Sequence, residues 1–343
     1  MCRSLVETGR GCPSHTDPQK IALRNQRRRN KYRVSKIADS LGVPSLQLGS
    51  IADGLVQEGF SEQEVFQGQE DGVLFARYRQ QQLIEEVLAR GPVEGEERLP
   101  VIGLKPAGED RNIYPRDAEG RVSQVYYASY GSNLFAERFN AYISGGAPEG
   151  SARVYPGCRD NAAPSDDVAV ILNGTVQYVG ESRVWTGGVG FLDTTSPGKS
   201  FGRAYRISAE QFNDVVCQES HLPVGETTVN LDETIQNGRT VTPGAYGTLV
   251  HVGDHNGCPV LTFTGSFLTR DAKQGEFAFG VDGILRPVAE AEQITDGPYP
   301  FVPVYSNPPS ESYRGMITRG LAETHGLSAA EAEVYFAGAA GVH

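Results

Sequence analysis

From Val122 onward the sequence breaks into short apolar segments separated by turn residues. Segments of this length, each too short for a core helix, predict β-strands. The content of 41 glycines and 20 prolines in 343 residues also favours a β-containing fold over a helical bundle. We predict an α+β fold built on a small mixed β-barrel with flanking helices. The predicted strands are 122–129, 168–172, 175–179, 185–192, 203–207, 246–252 and 260–267.

The part before Val122 has a different pattern. Residues 18–37 predict a basic helix, 38–93 predict further helical pieces, and 91–121 are rich in Gly, Pro and charge and predict a linker. We therefore expect a basic N-terminal arm over 1–40, a helical region and linker over 41–115, and the β-rich domain over 116–343. The chain has no run of 18 apolar residues and no secretory signal at its start, which predicts a cytoplasmic protein and no membrane partner.

Charge is distributed unevenly along the chain. Residues 1–40 contain ten Lys and Arg against three acids, a net charge of +7, and because the whole chain carries −11 the remainder carries −18. Such an arm can bind nucleic acid or another polyanion through residues 20–36, or it can fold back on its own acidic body. The segment contains no recognisable DNA-reading motif.

The cysteines and histidines predict no metal or disulfide framework. Five cysteines are odd in number and scattered, which argues against structural disulfides. Cys2, Cys12 and His15 could supply three zinc ligands, but no fourth lies nearby and the spacing fits no zinc finger. The six histidines form no metal signature, so no metal is expected.

An abrupt strand-to-helix junction occurs in residues 126–139, YYASYGSNLFAERF. Because the first backbone N–H groups of a helix lack partners within it, those of Tyr130, Gly131, Ser132 and Asn133 can hold an anion. Ser132 could instead be a nucleophile. No His or Asp stands at a recognisable triad spacing, so a loop or capping role is favoured.

A second helix is predicted from Ser208, since Ser208 and Gln211 have the form of a capping box. If the helix continues one more turn, Glu219 shares the apolar face of Val215 and Val216. A carboxylate among apolar neighbours is disfavoured in its charged form, which suits a general base working near neutral pH. The alternative is that the helix ends earlier and Glu219 is solvated.

Four features in order resemble the γ-glutamylcyclotransferase-like family. They are the Tyr-Gly-Ser-Asn loop at 130–133, Trp-x-Gly-Gly at 185–188, Gln-Glu at 218–219, and Tyr313 before the last helices. The resemblance covers roughly residues 122–337. A second motif of this kind, Tyr-Gly-Thr-Leu at 246–249, continues in a strand pattern and is interpreted as a strand.

The resemblance implies a small β-barrel with flanking helices and a cofactor-independent enzyme. Its substrate would be a γ-glutamyl small molecule, whose α-amino group attacks its own γ-carbonyl and releases 5-oxoproline. Glu219 would be the general acid and base. The implied substrate-binding residues are Tyr130, Gly131, Ser132, Asn133, Gly187, Gly188 and Tyr313.

Two departures from the family pattern concern substrate choice. Glu219 is followed by Ser220, where many relatives have glycine, and insertions at 222–245 and 269–300 could cover the site. Two other hypotheses stay open: a catalytically inactive binding protein whose basic arm contacts nucleic acid, and an assembly protein that oligomerises through its helical N-terminal half. The sequence leaves the γ-glutamyl substrate, the role of residues 1–115 and the oligomeric state open.

Overall fold

A computed structural model describes most of the chain. The described residues are 18–57, 60–68, 72–90, 101–148, 153–180, 182, 185–194, 196–226, 229–241, 246–265, 277–279, 285–287, 302–303 and 307–339. The zinc hypothesis at Cys2, Cys12 and His15 lies outside these residues, as does most of the 269–300 insertion. Within them, no helix has both the length and the apolar character needed to cross a membrane.

The described part of the N-terminal region contains four helices. They are α1 (Pro18–Leu41), α2 (Ser45–Gln57), α3 (Glu62–Phe66) and α4 (Val73–Ala89). Ser61 starts α3 with a capping box to Glu64, which satisfies backbone groups at both positions. The four helices enclose a separate apolar core that includes Val34, Leu48 and Leu74. The helical character predicted for this region is therefore observed in the described residues between 18 and 90.

A seven-stranded mixed sheet forms the centre of the rest of the chain. Its seven strands are β1 (Val101–Gly103), β2 (Gln124–Ser129), β3 (Asp166–Asn173), β6 (Lys199–Ser208), β7 (Arg239–Val241), β8 (Thr248–His255) and β9 (Cys258–Thr264). Their order in the sheet is β1-β3-β6-β2-β9-β8-β7, with parallel pairs β1–β3 and β2–β9 and antiparallel pairs elsewhere. A hairpin of β4 (Thr175–Val179) and β5 (Val189–Asp193) is separate, as is a small sheet of β10 (Phe277–Phe279), β11 (Leu285–Pro287) and β12 (Val302–Pro303).

The predicted mixture of helices and a mixed sheet is confirmed, but the closed barrel is not. Among the described residues the sheet runs open from β1 to β7. One antiparallel bridge between Lys105 and Asp254 joins the segment after β1 to β8. A single bridge is not a continuous ladder, so closure of the barrel stays a prediction.

Helices cover both faces of the sheet. These are α5 (Ala136–Ser144), α6 (Ala209–Glu219), α7 (Leu231–Asn237), α8 (Glu311–His325) and α9 (Ala329–Ala337). Because strand side chains alternate, β2 sends Tyr126 into the core shared with α4, α8 and α9, and Tyr127 into the core shared with α5 and α6. Residues just beyond the end of β2 are therefore held between two packed layers.

Two predicted boundaries need correction. The strand expected over 185–192 begins only at Val189, because Thr186 and Gly187 have φ of 58° and 68°, outside the range of extended backbone. The segment 91–121, predicted as a linker, contains β1, which pairs in parallel with β3. A strand of three residues shows no periodicity that a sequence pattern can reveal.

Helix α4 connects the helical region to the sheet. Its Leu74 lies in the N-terminal core, whereas its Ile84 lies in the core beneath the sheet. The Gln80 amide donates to the backbone oxygen of Tyr335 at 2.8 Å, and Gln81 exchanges hydrogen bonds with the backbone of Lys199. The domain boundary between residues 115 and 116 stays a prediction. Helix α4, which precedes it in the sequence, packs against both the N-terminal core and the sheet.

His325 predicts a distinct acid sensitivity of this fold. The ring is buried, its Nε2 lies 2.9 Å from the Gly202 oxygen, and burial lowers its pKa to about 3. Below about pH 6.5 His325 binds a proton in the unfolded chain but stays neutral in the folded chain. The free energy of unfolding therefore falls progressively as the pH is lowered toward 3. We expect wild type to lose about 3 kcal/mol more than His325→Gln between about pH 6.5 and 4 in urea unfolding. Equal losses in the two proteins would contradict this.

Candidate active site

The Tyr-Gly-Ser-Asn loop lies at the end of the central strand β2. One 3-10 turn, Ser132–Leu134, separates β2 from α5, so the predicted junction is slightly less abrupt than expected. The hydroxyl of buried Tyr130 donates to the Phe263 oxygen at 2.8 Å. The Leu134 oxygen accepts hydrogen bonds from Arg203 and Thr324, at 3.2 Å each. The loop is therefore held from several elements at once.

Tyr313 approaches this loop from α8. Ser310 caps the helix by accepting from the Tyr313 backbone N–H. The buried Tyr313 hydroxyl accepts from the Gly190 N–H at 3.4 Å, and it lies 3.0 Å from where a Cβ on Gly131 would stand. Burial raises the pKa of Tyr313 to about 12, so the hydroxyl keeps its proton at neutral pH.

Glu219 meets the loop from the other side. It is the last residue of α6, which starts at the predicted Ser208–Gln211 capping box, and its side chain is half-buried. Its Oε1 accepts from the Asn133 side-chain amide at 3.1 Å. The Asn133 oxygen Oδ1 is buried and has no hydrogen-bond partner in the structure. Glu219, Asn133 and Tyr313, far apart in sequence, thus meet at one loop.

Three tyrosines lie near the Glu219 carboxylate. The pKa values of Tyr127, Tyr142 and Tyr246 are raised well above the usual value, first by burial and further by the charge of Glu219. The Tyr246 hydroxyl donates to the Gly190 oxygen at 3.0 Å. At neutral pH these phenols are all hydrogen-bond donors.

Arg138 supplies a buried positive charge beside this cluster. It is 2% exposed, and its Nη2 donates to the hydroxyls of Tyr142 at 3.0 Å and Tyr155 at 2.6 Å. Its guanidinium lies 5.8 Å from the ring centroid of Trp185. Burial opposes its charge, but Tyr142, Tyr155 and Glu219 together raise the pKa of Arg138 above its usual value.

The Trp-x-Gly-Gly segment packs against the start of α8. A Cβ on Gly187 would stand 2.7 Å from the Pro308 oxygen, and one on Gly188 would stand 1.9 Å from the Asn307 oxygen. The Trp185 ring stacks on Tyr313 with centroids 6.0 Å apart. The glycines thus allow the close backbone approach that places Tyr313, and direct substrate contact by Gly187 and Gly188 stays a prediction.

Several residues of this cluster were not predicted from the sequence. Tyr127, Tyr142 and Arg138 could not be recognised as site residues from the sequence. They lie on a strand or helix whose aromatic residues indicate a buried core as readily as a functional site. Tyr246 belongs to the second Tyr-Gly-Thr-Leu motif, which was interpreted as a strand. That interpretation is correct from Thr248, where β8 begins, but Tyr246 itself precedes the strand and joins the cluster.

The described residues contain no group of three or more His, Cys, Asp or Glu side chains arranged to hold a metal ion. Within the same residues Cys158, Cys217 and Cys258 are buried free thiols.

Comparison with known proteins gives limited similarity. No protein-family model matches the chain. Over 245 residues, 66% of this chain, it is 29% identical to histone deacetylase 5 from Arabidopsis thaliana. The match covers 33% of that protein, so the chain spans about a third of the length of this curated relative.

Solved structures with a similar fold include a γ-glutamyl cyclotransferase. It shares 16% identity at a TM-score of 0.30, covering 61% of this chain and 85% of that one. An uncharacterized protein from Homo sapiens shares 15% identity at a TM-score of 0.30 with the same coverage.

Proposed function

We propose that this chain is a γ-glutamyl cyclotransferase-type enzyme. In this reaction the α-amino nitrogen of a γ-glutamyl compound bonds to the compound's own γ-carbonyl carbon. The bond from that carbon to the amine or peptide breaks, and 5-oxoproline and the free amine are released. No oxidant, reductant or cofactor is consumed.

The observation that carries this proposal is the hydrogen bond between Asn133 and Glu219. It joins the only carboxylate assigned to catalysis to the Tyr-Gly-Ser-Asn loop, at an N–O distance of 3.1 Å. The Glu219 carboxylate, the backbone N–H groups of the 131–133 turn and several protonated tyrosine hydroxyls therefore lie close together. That set matches what an intramolecular aminolysis requires: a proton acceptor, donors for a developing oxyanion, and no activated serine.

Glu219 has two proton transfers in this mechanism. It takes a proton from the substrate ammonium, which frees the nitrogen lone pair for attack on the γ-carbonyl carbon. It then gives that proton to the leaving nitrogen as the carbon–nitrogen bond breaks. The ring nitrogen loses its second proton as the amide forms, and the departing amine takes it up and leaves as an ammonium. Because nucleophile and electrophile belong to one molecule, the enzyme gains most by fixing the bent conformer in which the two atoms are close.

The loop and Tyr313 stabilise the charge that develops on the carbonyl oxygen. Backbone N–H groups at residues 131–133 are the candidate donors. The Tyr313 hydroxyl already accepts from Gly190, so its own proton is available to a substrate oxygen. Arg138 holds the Tyr142 hydroxyl, which lies near Glu219, and it is a positioning residue for the base.

The test is release of 5-oxoproline from a panel of γ-glutamyl peptides and γ-glutamyl amines, followed by mass spectrometry. We expect turnover of at least one member of the panel. The matched control is the same compound with its α-amine acetylated, which keeps the scissile bond but removes the nucleophile, and it should be inert. Cleavage of the acetylated compound would indicate hydrolysis and overturn the proposal, as would inactivity toward the whole panel.

A further inference from the structure

Helix α1 presents a dense basic surface to solvent. Val34 and Ala38 are buried against the N-terminal core, whereas the basic side chains that the structure describes on this helix are exposed. We call the exposed cations of this helix the basic face. They are Arg24, Arg27, Arg28, Arg29, Lys31, Arg33 and Lys36.

The basic face forms no ion pair with the acidic residues that the structure describes. The chain outside residues 1–40 carries −18, yet none of the seven cations forms an ion pair with a described residue. Arg33 lies over the Phe66 ring at 5.6 Å, and Lys36 lies over the Tyr32 ring at 5.1 Å. Among the described residues, therefore, no contact supports the fold-back alternative, and no described carboxylate competes with an external anion for these charges.

The cations form two rows along the helix. At 3.6 residues per turn, one row contains Arg24, Arg28 and Lys31, with Arg27 at its border. The second contains Arg29, Arg33 and Lys36, about 140° further around the helix. Tyr32, which is 62% exposed, lies between the rows. A ligand that contacts both rows must present negative charge on two sides of the helix.

We propose that the basic face binds duplex DNA through its phosphates, with α1 lying along the major groove. The groove is about 12 Å wide and accepts a helix of about 10–12 Å diameter, with phosphates on both walls. Arg24 and Lys36 are separated by about 18 Å along the helix, over which a duplex carries about ten phosphates. A-form RNA has a major groove too narrow for this, and a single strand would meet one row only. The inference does not depend on the Glu219 site.

The test is fluorescence anisotropy of the full-length protein with a labelled mixed-sequence duplex of about 20 base pairs, across a salt series. We expect a Kd near 1 µM or below at about 50 mM salt, and a slope of log K against log salt of about −6 when all seven cations engage phosphates. Glutamine at all three positions of either row should reduce the slope by about 3. The matched control removes three exposed arginines elsewhere, Arg111, Arg121 and Arg239, and should leave the slope unchanged.

Three results would overturn the proposal. The first is absence of binding to the duplex at low salt. The second is equal or tighter binding to a single strand or to duplex RNA of the same length, which would exclude the groove geometry. The third is an equal loss of slope in the control variant, which would mean that the contacts are not localised to α1. Circular dichroism of each variant verifies that α1 persists.

Discussion

Glu219→Gln is expected to lower kcat for 5-oxoproline release by about 10³-fold or more, within the range for loss of a general acid and base. The substitution keeps the size of the side chain and an oxygen that accepts from the Asn133 amide. It removes only the capacity to take and return a proton. KM should change little, because the geometry of the loop is preserved. Steady-state kinetics with the best substrate of the panel measures both quantities.

The control for this variant lies on the same helix. Glu210 occupies the first turn of α6, is exposed, and forms an ion pair with Arg159 at 3.0 Å. Glu210→Gln should leave kcat and KM unchanged. Full activity in Glu219→Gln, with a folded protein, would remove Glu219 from the mechanism. An equal loss in Glu210→Gln would show that the effect comes from the helix and not from the carboxylate.

Gly320→Ala is expected to destabilise the protein by about 2 kcal/mol or more and to lower activity as well. Alanine in a helix is intrinsically favoured over glycine by about 1 kcal/mol. Here, however, the added Cβ would stand 2.5 Å from the Leu134 Cβ and 2.6 Å from the Phe135 backbone nitrogen. Backbone atoms cannot rotate out of the way as a side chain can, so the turn that carries Ser132 and Asn133 must shift. We expect the cost of this clash to exceed the gain in helix propensity from alanine.

Gly315 provides the opposite case on the same helix. It is exposed in α8, and a Cβ there would meet nothing within 4 Å. Gly315→Ala should therefore stabilise the protein by about 0.5–1 kcal/mol and leave activity unchanged. Urea unfolding of the two variants and of wild type measures the difference. Equal stability of the two variants would contradict the packing of α8 against the 132–134 turn.

Local signals in the sequence predicted the elements well. The Ser208–Gln211 capping box is present as expected, and α6 runs to Glu219 instead of ending earlier. Strand β2 is recognisable because it is buried on both faces and therefore nearly all apolar. The resemblance implied one site for Glu219, Asn133 and Tyr313. In the structure Glu219 accepts from the Asn133 amide and the Tyr313 hydroxyl lies beside Gly131. Their roles in catalysis are a proposal.

The parts that escaped prediction depend on contacts between distant segments. In the sequence Arg138 looks like any charged residue of a helical pattern. Its guanidinium is enclosed only in the fold, by Tyr155, 17 residues later, and by Trp185. Tyr246 belongs to a strand-like motif and reaches the site only because its hydroxyl meets Gly190. Strand β1 is defined by its pairing with β3 and not by its own three residues. Hydrophobic periodicity in a sequence reports structure formed by neighbouring residues, whereas each of these contacts joins segments that are distant in sequence.

The most direct test of the proposed reaction is turnover of a γ-glutamyl substrate in water enriched in oxygen-18. Intramolecular attack by the α-amine takes no oxygen from solvent, so the released 5-oxoproline should carry no label, and its formation should stop in Glu219→Gln. Labelled glutamate as the first product would show that water is the nucleophile. That result would contradict the cyclotransferase mechanism even if the same bond is cleaved at the same site.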